Sequence, residues 1–286
     1  MSLSAPSAEI PITVADWASQ VQLNLPAGVP VQVESAAAAF VLQWGLCDQN
    51  APNARPRADS YQLSYAMDAW QLFPPAQRDG LGKHPLWVDF VHNPRFAQTL
   101  LLREPLAKAA GLRANQRPLV IDLTAGLGRD TWALASTGCP VLAFERHPLV
   151  HFLLNDGLLR ARAHPKTRAI AERITLHRGD ARQYEGAFID QNNAIINPIW
   201  LVDPMFPERQ KSALVKKDMR IFHQLVGEDL DASALFNWAR TQSGTRWIVK
   251  RPPQAPALNE ESPALVITSG RVRFDCYLPV AVSARK

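Results

Sequence analysis

From about Arg117 onward, short apolar and β-branched runs alternate with longer helical stretches, and no other pattern limits the possible folds as much. Such alternation is typical of βαβ units, in which helices cover both faces of a parallel sheet. The predicted strands are 118–123, 141–145, 174–177, 199–202, 247–250, 265–268 and 272–278, and the predicted helices are 130–136, 149–163, 212–226 and 232–241. Ser269 and Gly270 predict a terminal antiparallel hairpin at the edge of a doubly wound α/β sheet.

The first 100 residues follow a different pattern. An apolar run at 36–44 precedes a stretch rich in Pro, Asn and Asp at 48–59, and apolar residues alternate with polar ones at 61–65 and around 87–90. We interpret residues 1–100 as a small α/β accessory domain or lid and residues 101–286 as the main domain, with 95–116 as a helical connector.

Composition excludes several classes of protein. No stretch approaches the ~20 apolar residues of a membrane span, and the first 20 residues lack a basic segment followed by an apolar run, so a cytoplasmic location is expected. Three widely spaced cysteines, without a CxxC pair, argue against a disulfide framework or a metal site. Residues 103–286 hold 26 Lys and Arg against 18 Asp and Glu, a net charge of +8 that suits a phosphate-rich partner.

The first strand of the main domain leads into DLTAGLGRD, from Asp122 to Asp130, and then into a helix. Gly126 and Gly128 permit a sharp turn and a close approach to a ligand, and a helix amino end favours a carboxylate or phosphate. The third glycine of a dinucleotide fingerprint is missing, which favours an S-adenosylmethionine loop over an NAD loop. A purely structural β–α turn is the alternative.

Acidic residues follow the next strands. Glu145 ends the second strand, where a carboxylate in such folds accepts hydrogen bonds from ribose hydroxyls, and Gly179 and Asp180 follow the third, at the level of an adenine edge. A solvated strand end and an ordinary turn are the alternatives for these positions. Three acidic strand ends in succession make coincidence a weaker explanation.

The fourth strand runs into Asp203-Pro204-Met205-Phe206-Pro207. A carboxylate and a proline-fixed carbonyl can accept the N–H groups of an exocyclic amine, while an aromatic ring stacks on its base. The segment is a variant of the (Asp/Asn)-Pro-Pro-(Tyr/Phe) loop of amino-group methyltransferases, and it makes Asp203, Pro204 and Phe206 the candidate catalytic residues.

Cations cluster after the fourth and fifth strands. Residues 208–220 carry five Lys and Arg against two acids, and the fifth strand ends in Lys250 and Arg251. Because ligands bind at the carboxyl edge of such sheets, these cations are predicted to hold phosphates. The candidate residues for this binding are Arg209, Lys211, Lys216, Lys217, Lys250 and Arg251. A solvated helix face is the alternative for Lys216 and Lys217.

Several of these segments resemble one family. DLTAGLGRD, FER, LVDPMFPERQKSALVKKDMRIFHQLVG, VKRPPQAPAL and RFDCY are similar to the corresponding segments of the S-adenosylmethionine-dependent 16S ribosomal RNA guanine-N2 methyltransferase J family, over roughly residues 85–280. The resemblance implies a class I methyltransferase (Rossmann-like) fold. It also implies a cofactor site lined by Arg129, Asp130, Glu145, Arg146, Gly179, Asp180 and Asp203, to which the loop adds Asp122, Gly126 and Gly128.

The resemblance further implies methyl transfer to the exocyclic N2 of a guanine in 16S ribosomal RNA, within a small-subunit particle, without a metal and without a membrane. The N-terminal domain would then contact RNA. Two alternatives stay open at this point: an amino-group methyltransferase that acts on DNA or another substrate, and a non-catalytic RNA-binding assembly factor.

Overall fold

The structure is a computed structural model that describes residues 14–50, 57–75, 84–96, 99–186, 197–205, 221, 225–259, 261–270 and 272–279. Their contacts form two compact units. The described residues up to Trp87, with 221 and 225–227, make up the first unit, and those of 88–205 and from Glu228 onward make up the second. The division thus falls between Trp87 and Val88, whereas the sequence predicts a domain boundary at residue 100.

The N-terminal unit has the predicted mixed α/β character. Its helices are α1 (Val14–Ser19) and α2 (Val31–Trp44), and its strands are β1 (Val21–Leu23), β2 (Cys47–Asp48), β3 (Tyr61–Ala66) and β4 (Ala69–Phe73). The sheet order is β2-β1-β3-β4, with β1 parallel to β2 and β3, and with β3 antiparallel to β4. Tyr61 and Leu63 are buried on one face of β3, as the alternation predicts.

The segment that follows departs from the prediction. A turn follows Asp89, because its Oδ1 accepts hydrogen bonds from the N–H groups of Val91 and His92, at 3.1 and 3.0 Å. Phe90 stacks on Trp132 with ring centroids 4.2 Å apart. In its described residues, the predicted connector over 95–116 is α-helical only at α3 (Pro105–Ala109).

The main unit contains the predicted sheet. Its strands are β5 (Val120–Asp122), β6 (Val141–Glu145), β7 (Ile174–Arg178), β8 (Ile199–Val202), β9 (Arg246–Arg251), β10 (Leu265–Ser269) and β11 (Val272–Tyr277). Their order is β10-β11-β9-β8-β5-β6-β7, and β11 runs antiparallel to both of its neighbours. The terminal hairpin is therefore confirmed, with β10 at the edge of the sheet.

Three of the helices that connect these strands were predicted: α4 (Arg129–Ser136), α5 (Pro148–Ala163) and α7 (Ala232–Thr241). The short helix α6 (Arg168–Ala171) was not predicted. Nearly all of the predicted helix 212–226 lies outside the described residues. Because β5 pairs with β6 on one side and β8 on the other, the winding reverses at β5, where a doubly wound sheet opens a ligand crevice. Within the described segments, no helix has the length and hydropathy to cross a membrane.

The helix α7 packs on one face of this sheet through large aromatic side chains. Trp200 of β8, Trp247 of β9 and Phe236 of α7 belong to one buried cluster. The indole N–H of Trp200 donates to the carbonyl of Ser243 at 2.9 Å, and that of Trp247 donates to the carbonyl of Ala239 at 2.7 Å. Both indole rings are therefore buried without leaving an N–H group unsatisfied. Their packing holds β8 and β9, the strands that lead to the site.

A close contact made by helix α5 gives a test of packing. Within α5, a Cβ at Gly157 would lie 2.5 Å from Cγ1 and 3.0 Å from the carbonyl oxygen of Val88. We expect Gly157→Ala to lower the free energy of unfolding by about 1–3 kcal/mol, because this overpacking outweighs the better helix propensity of alanine. Urea unfolding measures the effect, with the exposed Leu159→Ala of the same helix as the control. An unchanged or raised stability of Gly157→Ala would contradict the packing.

Candidate active site

The loop between β5 and α4 contains the two glycines predicted to shape a ligand site. Gly126 and Gly128 have φ angles of 56° and 74°, a left-handed backbone that other residues rarely adopt. Gly128 is also confined by packing, because a Cβ there would lie 2.6 Å from Cδ1 of Leu154. The loop therefore turns sharply and places the amino end of α4 at the carboxyl edge of the sheet, where an anion is stabilised.

Asp122 lies beneath this loop and fixes both of its sides. Its Oδ2 accepts a hydrogen bond from the Thr131 hydroxyl at 2.5 Å, and its Oδ1 accepts one from the N–H of Thr124 at 3.1 Å. The residue is only 2% exposed, and burial raises the pKa of Asp122 to about 7. Asp122 thus holds the glycine loop from within, and its contact with the cofactor stays a prediction.

Glu145 ends β6 and is buried beside the same loop. Its Oε2 accepts a hydrogen bond from the N–H of Gly126 at 2.8 Å, and its Oε1 accepts one from the N–H of His147 at 2.7 Å. Burial raises the pKa of Glu145 to about 7, against the opposing effect of these two donors. A carboxylate has roughly four acceptor positions, so Glu145 keeps acceptor capacity for hydroxyl groups of a ligand.

The charged ends of Arg146 and Asp180 belong to a network of ion pairs that the sequence did not predict. Arg146 binds Asp229 and, at 2.8 Å, Asp231. Arg182 binds Asp231 and Asp180, each at 2.5 Å. The network joins the ends of β6 and β7 to the start of α7. The acidic run GEDLD before α7 is the feature of the sequence that points to this network. Gly179, with φ of 120°, forms the turn that leads from β7 to Asp180.

The predicted catalytic loop follows β8 and is held at both ends. The N–H of Asp203 donates to Oγ1 of Thr124 at 2.7 Å, which ties the loop to the glycine loop. The N–H of Met205 donates to Oδ2 of Asp229 at 2.6 Å, and its carbonyl accepts from the N–H of the same residue at 3.1 Å. Pro204, buried between these anchors, therefore has a fixed backbone. Thr124 and Asp229 are functional candidates that the sequence analysis missed.

Lys250 and Arg251 have surroundings that differ from those of phosphate-binding residues. The Lys250 ammonium lies 2.7 Å from Oδ2 of Asp130 and 2.7 Å from Oδ2 of Asp203. Arg251 is only 6% exposed, and Asp275 and Arg273 are among the charged groups that act on it. The predicted phosphate contacts of both residues are therefore corrected, because one cation is already paired in the site and the other is buried in the sheet.

The carboxyl edge of the sheet thus brings together most of the predicted site. Arg129 and Asp130, both half-buried, occupy the first turn of α4, and Lys250 links Asp130 to Asp203. Phe206 and the predicted RNA-binding cations of the following segment lie outside the described residues, namely Arg209, Lys211, Lys216 and Lys217.

These residues fit S-adenosylmethionine chemically. Glu145 can accept hydrogen bonds from ribose hydroxyls, and the amino end of α4 suits the carboxylate of the methionine part. The carboxylates of Asp130 and Asp203 complement the positive charges of the ligand. Glu145 is held by two backbone N–H groups, and Asp130 and Asp203 are held by their shared partner Lys250, so the site needs little rearrangement to accept the cofactor.

Comparison with known proteins supports this assignment. Residues 55–279 match the family model of SAM-dependent methyltransferases, SAM_MT. The ribosomal RNA small subunit methyltransferase J of Dechloromonas aromatica is 44% identical over 207 residues, which cover 70% of this chain and 83% of the relative. The protein of the same name from Tolumonas auensis is 46% identical over 200 residues, covering 68% and 78% of the two chains.

A solved structure agrees over nearly the whole length. The crystal structure of a SAM-dependent methyltransferase from Neisseria gonorrhoeae is 33% identical, covers 91% of this chain and 96% of its own, and superposes with a TM-score of 0.66. The sheet is thus the Rossmann-like sheet of class I methyltransferases, with S-adenosylmethionine as the cofactor. The chain belongs to the family of SAM-dependent methyltransferases that includes the ribosomal RNA small subunit methyltransferases J.

Proposed function

We propose that the protein transfers the methyl group of S-adenosylmethionine to the exocyclic N2 of a guanine in 16S ribosomal RNA. The observation that carries this proposal is the loop of Asp203 and Pro204, which is tied to the glycine loop by the hydrogen bond from Asp203 to Thr124. The names of the relatives support small-subunit ribosomal RNA as the substrate, and the variant amino-group loop supports an exocyclic amine as the acceptor.

The loop has the groups that this reaction needs. The lone pair of a guanine amino group is delocalised into the ring, so the nitrogen must be held pyramidal and in line with the bond that breaks. When bound, S-adenosylmethionine supplies a methyl group on a positively charged sulfur. The carboxylate of Asp203 and the carbonyl of Pro204 would accept the two N–H groups, align the lone pair and stabilise the positive charge that grows on nitrogen.

The base must leave its helix to reach this loop. A guanine that is stacked and paired cannot present N2 to the carboxyl edge of a sheet, so the target is unpaired or flipped out. Phe206 would then stack on the base. We propose a small-subunit particle as the natural partner, with the N-terminal unit as a further RNA contact.

Two other functions make different predictions. An amino-group methyltransferase for DNA would use the same loop, and a non-catalytic assembly factor would bind RNA without using S-adenosylmethionine. One experiment distinguishes the proposed function from these two alternatives. The protein is incubated with S-adenosylmethionine labelled in its methyl group and with either 16S ribosomal RNA or DNA of the same sequence. We expect label in the RNA only. Label in the DNA would support the first alternative, and RNA binding without labelling or cofactor binding would support the second.

RNA binding is expected to depend steeply on salt through the cations that follow the catalytic loop. Replacing Lys211, Lys216 and Lys217 by Gln should weaken RNA binding, and each lost phosphate contact should reduce the slope of log K against log salt by about 0.7 to 0.9. Filter binding at several salt concentrations measures this slope, and the exposed Lys166, which follows α5, provides a control substitution to Gln. An unchanged slope in the triple variant would reassign these lysines to solubility.

A further inference from the structure

The ammonium of Lys250 lies between two carboxylates that come from different parts of the fold. Lys250 belongs to β9, Asp130 to the first turn of α4 on the cofactor side, and Asp203 to the catalytic loop. Both contacts are 2.7 Å long, and the Lys250 side chain is only 22% exposed. Charge-assisted hydrogen bonds of this length are strong and directional, so Lys250 holds the two carboxylate oxygens at fixed positions.

The surroundings of Asp203 make this cation necessary. The carboxylate of Asp203 interacts electrostatically with three other carboxylates, those of Asp130, Asp229 and Asp122. Burial raises the pKa of Asp203, Lys250 opposes this rise, and Asp130 and Asp229 add to it. Without a cation between them, carboxylates this close share a proton rather than ionise together. A protonated Asp203 would lose an acceptor and the negative charge that opposes the charge developing on the amine.

Burial also acts on Lys250, but in the opposite sense. Burial lowers the pKa of the Lys250 ammonium, but the carboxylates of Asp203 and Asp130 raise it by more. The pKa of Lys250 therefore lies above its usual value. Lys250 therefore stays charged throughout the range in which the enzyme would work, which makes it unsuitable as a proton acceptor and suitable as a fixed counter-ion.

We propose that Lys250 is a positioning residue that keeps Asp203 ionised and oriented for the amine, and that it does so by bridging Asp203 to Asp130. This inference rests on the proposed function of the loop and extends it to a residue outside the loop.

The test uses Lys250→Met, which keeps much of the side-chain volume without the charge, and Lys250→Arg, which keeps the charge. The first measurement needs neither RNA nor cofactor: carboxyl-carbon NMR follows the titration of Asp203 in the full-length protein, with Asp203→Asn to assign the signal. We expect the Asp203 midpoint to move upward by about 1 pH unit or more in Lys250→Met, and to move less in Lys250→Arg. The double variant Lys250→Met/Asp130→Asn should return it towards the wild-type value.

The second measurement is the pH dependence of single-turnover methyl transfer. The acidic limb of the profile should move to higher pH in Lys250→Met, so that the rate loss is largest at acidic pH and shrinks as the pH rises. Lys250→Arg should restore most of the rate. A residue that only supports the fold would lower the rate equally at every pH. A loss of rate that depends on pH therefore distinguishes a positioning role from a structural one.

An unchanged Asp203 midpoint in folded Lys250→Met would overturn the inference, as would a pH-independent loss of rate. A reduced salt slope of RNA binding with an unchanged midpoint would return Lys250 to phosphate binding. If Lys250→Met does not fold, Lys250→Gln and the double variant carry the same titration test. Because the NMR titration involves no substrate, a failure of the proposed RNA activity would leave its result interpretable.

Discussion

Replacing Asp203 by Ala should lower the single-turnover rate of methyl transfer by on the order of 10²-fold or more. This expectation follows from the loss of one pre-positioned electrostatic partner of the transition state. The backbone of Asp203 is held by Thr124, so the substitution should leave the loop in place and affect the chemical step more than cofactor binding. Rapid-quench measurement with labelled cofactor and saturating RNA gives this rate directly.

Asp203→Asn is the matched control for charge. It keeps the size of the side chain and one acceptor oxygen, but it removes the negative charge and weakens the contact with Lys250. Its rate should fall between those of the wild type and Asp203→Ala. Some loss of cofactor affinity is compatible with the proposal, because we also propose Asp203 as a residue of the cofactor site. A near-wild-type rate in a well-folded Asp203→Ala protein would move catalysis away from this loop.

The second large effect concerns the cofactor. We expect Glu145→Ala to lower the affinity for S-adenosylmethionine by roughly 10- to 150-fold, which corresponds to the loss of about 1.5 to 3 kcal/mol of charge-assisted hydrogen bonding to ribose hydroxyls. The substitution also removes the acceptor of the Gly126 N–H, so part of the loss would come from a loosened glycine loop. Isothermal titration calorimetry measures the affinity.

A control substitution separates the local effect from a general one. Glu172→Ala removes an exposed carboxylate directly after α6 and should leave the affinity unchanged. Glu145→Gln keeps one acceptor oxygen for the loop or the ribose and should lose less affinity than Glu145→Ala. An unchanged affinity in folded Glu145→Ala would refute the placement of the ribose at the end of β6.

The main sheet could be predicted because its signals are local. Strands β6 and β8 and helix α7 have the predicted bounds, since buried β-branched runs and amphipathic helices are patterns of consecutive residues. The turn after Asp89 could not be predicted, because the pattern of residues does not reveal that Asp89 captures the N–H groups of Val91 and His92. The contacts of Phe90 with Trp132 likewise depend on tertiary packing.

The site was predicted in part for the same reason. Strand ends mark where side chains meet at the edge of a sheet, which identified Glu145 and Asp203. The choice of partner for a charged side chain is not local: Lys250 pairs with Asp130, and Arg146 with Asp229, across long stretches of sequence. A count of Lys and Arg therefore suggested phosphate binding for Lys250, whereas its partners lie within the site.

The central claim is that this chain methylates N2 of a guanine in 16S ribosomal RNA through Asp203. It is tested most directly by nucleoside mass spectrometry of 16S ribosomal RNA from a strain that lacks the gene, complemented with wild-type protein or with Asp203→Ala. The account predicts that one N2-methylguanosine is missing in the deletion strain, is restored by the wild type and is not restored by Asp203→Ala. An unchanged N2-methylguanosine content in the deletion strain, or full restoration by Asp203→Ala, would contradict it.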